Sequence, residues 1–92
     1  MTEAARRQRI LRKAEATLIR AVSHDHSRVA IERAAEEVRA ATLSLFKGQR
    51  ELILYKDQKT TSELRHLAHF ERKTSEWLSK SVEEIIRHVQ AP

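Results

Sequence analysis

Residues 28–55 read RVAIERAAEEVRAATLSLFKGQRELILY, and this stretch decides the architecture. With Ile31 at position a of a heptad, the a positions are Ile31, Val38, Leu45 and Leu52, and the d positions are Ala34, Ala41, Gly48 and Tyr55. Side chains three and four apart share one face of an α-helix. Bulky aliphatics at a, with small residues at three of the four d positions, let a neighbouring backbone approach closely along one side. Gly48 is the single glycine of the chain. It costs a helix interior about 1 kcal/mol against alanine, yet it falls on this seam. Leu43, Phe46, Ile53 and Leu54 widen the apolar surface, so the helix needs more than one neighbour.

Composition extends the helical reading to the whole chain. Ala, Glu, Lys, Arg and Leu supply 50 of the 92 residues, a share that marks long helices or coiled coils. One Gly and one Pro are too little punctuation for a many-turned sheet fold. There is no cysteine, which removes disulfide frameworks, Cys-ligated zinc and thiol nucleophiles. No apolar run approaches the roughly 20 residues of a membrane-spanning helix. The basic start of the chain leads into neither an apolar core nor a cleavage site, so it does not read as a signal peptide. A soluble cytoplasmic protein is the expectation.

Outward from the seam, the chain divides as a basic N-terminal helix over 1–22, a polar turn over 23–27 and a helical hairpin over 28–92, all within one domain. In the first helix Ile10, Leu11, Ala14, Leu18, Ala21 and Val22 form a narrow, Ala-rich stripe, so this helix must lean on something to persist. Ser23-His-Asp-His-Ser27 holds no hydrophobe and offers caps for the next helix. The hairpin arms are expected at about 28–55 and 61–89, the second carrying Leu64, Leu67, Phe70, Trp77, Leu78, Val82, Ile85, Ile86 and Val89. Thr60-Thr-Ser-Glu63 has the form of a capping box, which favours a turn after Tyr55 over one continuous rod. Trp77 is expected in the core, against Phe70 or Leu78. The fold class is therefore all-α: a helical hairpin or three-helix chain assembling into a coiled-coil-like bundle.

So few large hydrophobes over three helices give a marginal core in a single copy. Two solutions follow. The seam Ile31, Ala34, Val38, Ala41, Leu45, Gly48, Leu52 and Tyr55 meets a second copy or another protein's helix, or the first helix closes the core within one chain. The first is preferred, which makes the chain a homo-oligomeric protein-interaction module of adaptor, chaperone-like or regulatory type.

Charge supplies a second reading. The net charge is +5, and residues 1–28 hold seven Lys/Arg against three Asp/Glu while residues 60–92 hold five of each. Arg6, Arg9, Lys13 and Arg20 lie near one helical face, with Arg7 and Arg12 beside them. This strip suits phosphates of a nucleic acid or another anionic surface, although no aromatic is interleaved to stack bases. A third reading is a carboxylate–histidine metal bundle. Glu63-x-x-His66 has the i, i+3 spacing of di-metal carboxylate proteins, with Glu32, Glu36 or Glu37 as facing ligands. His24-Asp-His26 offers a further pair of imidazoles. These metal matches are short and expected by chance in a Glu-rich helical chain, so no metal or other cofactor is assigned. No phosphate-binding loop, Gly-flanked serine or spatially workable triad is present, and the chain is not read as an enzyme.

Overall fold

The computed structural model describes residues 2–91. Met1 and Pro92, which bound the expected first and last segments, lie outside the described residues. Four helices follow one another: α1 (Glu3–Ser23), α2 (Arg28–Leu54), α3 (Thr61–Ser79) and α4 (Val82–Gln90). The all-α fold class is as expected, with helices packed on one another around a common core.

Each helix start is written in its first residues. Thr2, Ser27, Thr60 and Ser81 each turn a side-chain oxygen onto a backbone N–H of the first turn, satisfying a donor that has no partner within the helix. At α3 and α4 the cap is reciprocal. Glu63 accepts from the Thr60 N–H at 3.0 Å, and Glu84 accepts from the Ser81 N–H at 3.3 Å. The turn between α1 and α2 closes as a Schellman motif: the His26 N–H reaches the Ala21 carbonyl at 3.0 Å and the Asp25 N–H reaches Val22 at 3.3 Å. Asp25 sits at the left-handed position with φ 49°, where an Asp is tolerated and Gly is commoner.

The expected second arm of the hairpin, about 61–89 as one helix, is corrected to two. Lys80 is extended (φ −64°, ψ 136°) and the chain restarts under the Ser81–Glu84 capping box. The reason is local chemistry: Ser79-Lys-Ser81 offers poor helix interior and a strong new start. The break lets α4 fold back onto α1 and α2 instead of running on past them.

α2 is the central element and packs against each of the other three helices. Leu18 of α1, Val38 of α2 and Ile85 of α4 are fully buried together. Alanines 14, 34, 35 and 41 fill the space between them and let the helix axes come close. The first helix therefore closes the core within one chain, the second of the two solutions open from the sequence. Trp77 is buried as expected, but its partners differ. Its ring meets His88 edge-on at 4.9 Å and lies under the Lys80 ammonium at 5.4 Å. Phe70 instead faces Phe46 at 6.1 Å, and Leu78 is exposed.

One side chain ties the α3–α4 corner to α2. Arg39 donates to the carbonyls of Trp77, Leu78 and Lys80, the open C-terminal end of α3, while Glu36 steadies its other edge at 2.8 Å. A cation at a helix C-terminus satisfies orphan carbonyls and complements the macrodipole. Arg39→Ala is expected to cost about 2 kcal/mol, the range of hydrogen bonds to a charged group, and to expose Trp77 to water. Urea unfolding followed in parallel by Trp77 emission and far-UV circular dichroism checks this: the emission should move to the red ahead of helix loss.

Candidate functional site

α4 and Trp77 cover one side of the α1–α2 pair; the other side is open. Three clefts follow each other along it, and every residue lining them comes from α1, α2 or the residues bordering these helices. The two nearest the α1–α2 turn, about 490 and 570 Å³, share Thr17, Arg20 and Glu37 and form one trough. It runs from Ile10 to His24, about 21 Å at 1.5 Å per residue. Its floor is small: Ala14 and Ala21 from α1 oppose Ala34 and Ala41 from α2, with Ala30 and Ala40 beside them. Ile10, 45% exposed, is the one large hydrophobe lining it.

Lys13, Arg20, Arg33 and Glu37 are the acidic and basic side chains that line the trough. Among the described residues none of the four takes part in an ion pair. His24 and His26 stand at one end, their rings 6.3 Å apart.

Arg7 separates the trough from the third cleft. Its guanidinium crosses from α1 to α2 and donates to the Ser44 carbonyl at 2.9 Å, with Glu3 3.0 Å from its Nε. That carbonyl is reachable because Gly48, one turn on, has no side chain. A Cβ built there would lie 2.3 Å from the Arg7 Nη1. The close approach that the sequence assigned to Gly48 is thus real, but what approaches is an arginine of the same chain. Beyond Arg7 the third cleft, about 420 Å³, is lined by Leu45 and Leu52 of α2, by Tyr55 just after it, and by Thr2, Glu3 and Ala4.

The eight seam residues are divided by the structure. Val38 is fully buried inside the chain and Ile31 packs against the core, so the expectation that all eight meet a partner is corrected. Their faces are taken up by α4 and α1. Ala34 and Ala41 are buried yet form the trough floor; Leu45, Gly48, Leu52 and Tyr55 line the third cleft. Leu52 and Tyr55 are 69% and 83% exposed.

The basic strip is also reduced. Arg6 and Arg7 both bind Glu3, and these bonds hold the Glu3 carboxyl down to about 2 from an ordinary 4.5. It stays charged near neutrality and cancels part of the strip. Arg9, Arg12, Lys13 and Arg20 remain exposed. The residues of the carboxylate–histidine alternative, to which no metal is assigned, are not brought together. Glu63 is occupied by Lys56 and by its capping box, which together hold its carboxyl down to about 2. Glu32 pairs with Arg28 and Glu36 with Arg39. Because α3 starts only after α2 has ended, Glu36 lies about 28 Å of helix rise from the end where Glu63 and His66 sit. Among the described residues no group of three His, Asp or Glu forms a metal-sized cluster.

The trough residues missed from the sequence are Thr17, Ala30, Arg33, Ala40 and Ser44. Their signal was present: Ala14 and Ala21, and Ala34 and Ala41, recur seven apart, so small residues alone trace one face of each helix. Comparison with protein-family models, curated proteins and solved structures finds no match for this chain.

Gly48 and Arg7 form a pair that a double-mutant cycle can isolate. Gly48→Ala should gain about 1 kcal/mol of helix propensity and lose about 1 kcal/mol with the Arg7–Ser44 bond, leaving overall stability nearly unchanged. Arg7→Ala alone should destabilise, and should cost almost nothing once Ala occupies position 48. Additive costs in thermal unfolding would show that the two do not interact.

Proposed function

We propose that this protein is an interaction module that binds an amphipathic helix in the trough between α1 and α2. The observation that supports this reading most is the groove floored by close-packed alanines on one side of a helix pair whose other side is covered by α4. Two antiparallel helices with small facing residues leave a groove into which a third helix can press large side chains, the helix-in-groove mode of recognition. The trough offers little apolar bulk of its own, so the complementary bulk comes from the ligand. The opposite arrangement, a large exposed apolar ridge, would call for a small-residue partner instead.

Self-association is a second reading, and it draws on a different end of the molecule. Leu52, Leu54 and Tyr55 at the end of α2 are exposed, as is Leu64 near the start of α3, across a loop of six residues. A cluster of this kind is more often a contact surface than a solvated one. A homo-oligomer built there would use the C-terminal part of the seam and leave the trough free.

A nucleic-acid role is less well supported. With Arg6 and Arg7 engaged by Glu3, four of the six strip cations remain, and each phosphate neutralised contributes only a share of a salt-dependent affinity.

Isotope-labelled protein titrated with a designed helical peptide, Leu on one face and Gln along both flanks, tests the main reading. Amide shifts are expected at Thr17, Ala34, Ala41 and Ser44, and Thr17→Trp, which fills the trough, should weaken binding by roughly tenfold or more, about 1.4 kcal/mol. Shifts confined to α3 and α4, or none at all, overturn it. Light scattering of the free protein tests the second reading: a dimer that dissociates in Leu52→Asp supports it, and a monomer at all concentrations removes it.

A further inference from the structure

We infer that the helix bound in the trough belongs to a different protein and carries acidic flanks over about four turns. This rests on the trough being the binding site proposed above and specifies what enters it.

Charge is the first ground. Lys13, Arg20 and Arg33 face Glu37 as the one carboxylate lining the trough, and among the described residues none of these has an ion-pair partner. Elsewhere on the helices Arg28, Arg39 and Lys73 pair with carboxylates one turn away. Lys13 and Arg20 have no carboxylate at that spacing; Arg33 has Glu37, so three cations against one carboxylate leave the lining with an excess of two positive charges. His24 and His26 at the far end supply no negative charge at any pH. Long-range attraction from such a rim speeds encounter with an acidic partner and repels a basic one.

Shape is the second. The floor is alanine, Thr17 and Ser44, which suits large Leu or Ile side chains from a helix lying lengthwise. The 21 Å or so from Ile10 to His24 matches about 14 helical residues.

A second copy of this chain fits poorly. In a two-fold dimer the same patch meets itself, so Lys13, Arg20 and Arg33 would confront their own equivalents. Nor does the chain offer a suitable helix elsewhere. The exposed large residues of α3 are Leu64 and Leu78, and its carboxylates Glu63, Glu71 and Glu76 are balanced by Arg65, Arg72 and Lys73, so it carries no net acidic flank. The Val82, Ile86 and Val89 stripe of α4 is already packed on its own core.

Fluorescence anisotropy with two labelled peptides of about 15 residues distinguishes the cases. Both carry the same Leu face; one has Glu along its flanks and the other Lys. The Glu peptide is expected to bind at least roughly tenfold tighter, to weaken as salt rises, and to lose most of that advantage in the variant Lys13→Ala, Arg20→Ala, Arg33→Ala. That variant should keep the parent's thermal midpoint, because the three side chains pair with nothing in the fold. Arg12→Ala, outside the trough, should bind as the parent does. Equal binding of the two peptides overturns the acidic partner and leaves the trough as a helix site. No binding of either peptide overturns the trough itself. Duplex DNA that binds in a manner dependent on the same three residues, while the Glu peptide does not, also overturns the inference and assigns the charge to a nucleic acid. Light scattering that shows a dimer disrupted by Thr17→Trp would put a second copy in the trough and overturn it as well.

Discussion

Everything in this molecule depends on α2 being packed on two of its sides at once. α1 packs along it, and so do α3 and α4, with Ala34, Ala35, Val38, Ala41 and Thr42 as its buried residues. A helix has room for roughly three neighbours, and this one is given two layers. The third side, from Ala30 to Ser44, is therefore left open, and the trough follows from that as directly as the core does. Alanine serves both purposes. It brings α1 close enough to bury Leu18, and it leaves a shallow floor where no further helix of this chain arrives.

Arginine does the work that bulky hydrophobes do in larger bundles. Arg39 and Arg7 both reach from one helix to backbone carbonyls of another, Arg39 at the end of α3 and Arg7 at Ser44 in mid-helix. Backbone carbonyls carry a second lone pair, so they can accept a guanidinium without breaking the helical ladder. Each bond links elements whose shared apolar surface is modest. Arg7 thereby withdraws one positive charge from the strip of six basic residues in α1, which is not a uniform electrostatic face. Of the four cations of the strip that remain exposed, Lys13 and Arg20 border the trough.

The helices were legible in the sequence because their starts are chemically explicit. Ser27 and the Thr60–Glu63 box placed α2 and α3 to within a residue or two. The Ser81–Glu84 box carries the same signal, but it was masked by the run of apolar spacing from Trp77 through Val89, which stays in phase across the break. The seam was legible as a stripe and misread in its destination. Periodicity shows that Ile31 and Val38 must be covered, and it contains no information on whether the cover is another chain or a later segment folding back. α4, nine residues long, supplies that cover. Likewise the size of Gly48 could be read, while the identity of what occupies the space could not, because Arg7 lies 41 positions away and looks from the sequence like part of a solvated face. The suggested metal ligands fell for a simpler reason: pairing α3 with the end of α2 puts Glu63 and Glu36 at opposite ends of the hairpin.

A core assembled from alanines and three fully buried large side chains gives a small domain only a modest margin of stability. In such a molecule a ligand helix contributes more than affinity. Whatever binds the folded form and not the unfolded chain adds to stability by mass action, and a helix seated on Ala14, Ala34 and Ala41 would bury the backs of the same residues that hold α1 to α2. Binding and folding would thus draw on one set of contacts. An Ala floor that is too small to complete a core alone is well matched to large side chains brought by a partner, and enlarging those alanines to strengthen the free protein would close the space the partner needs.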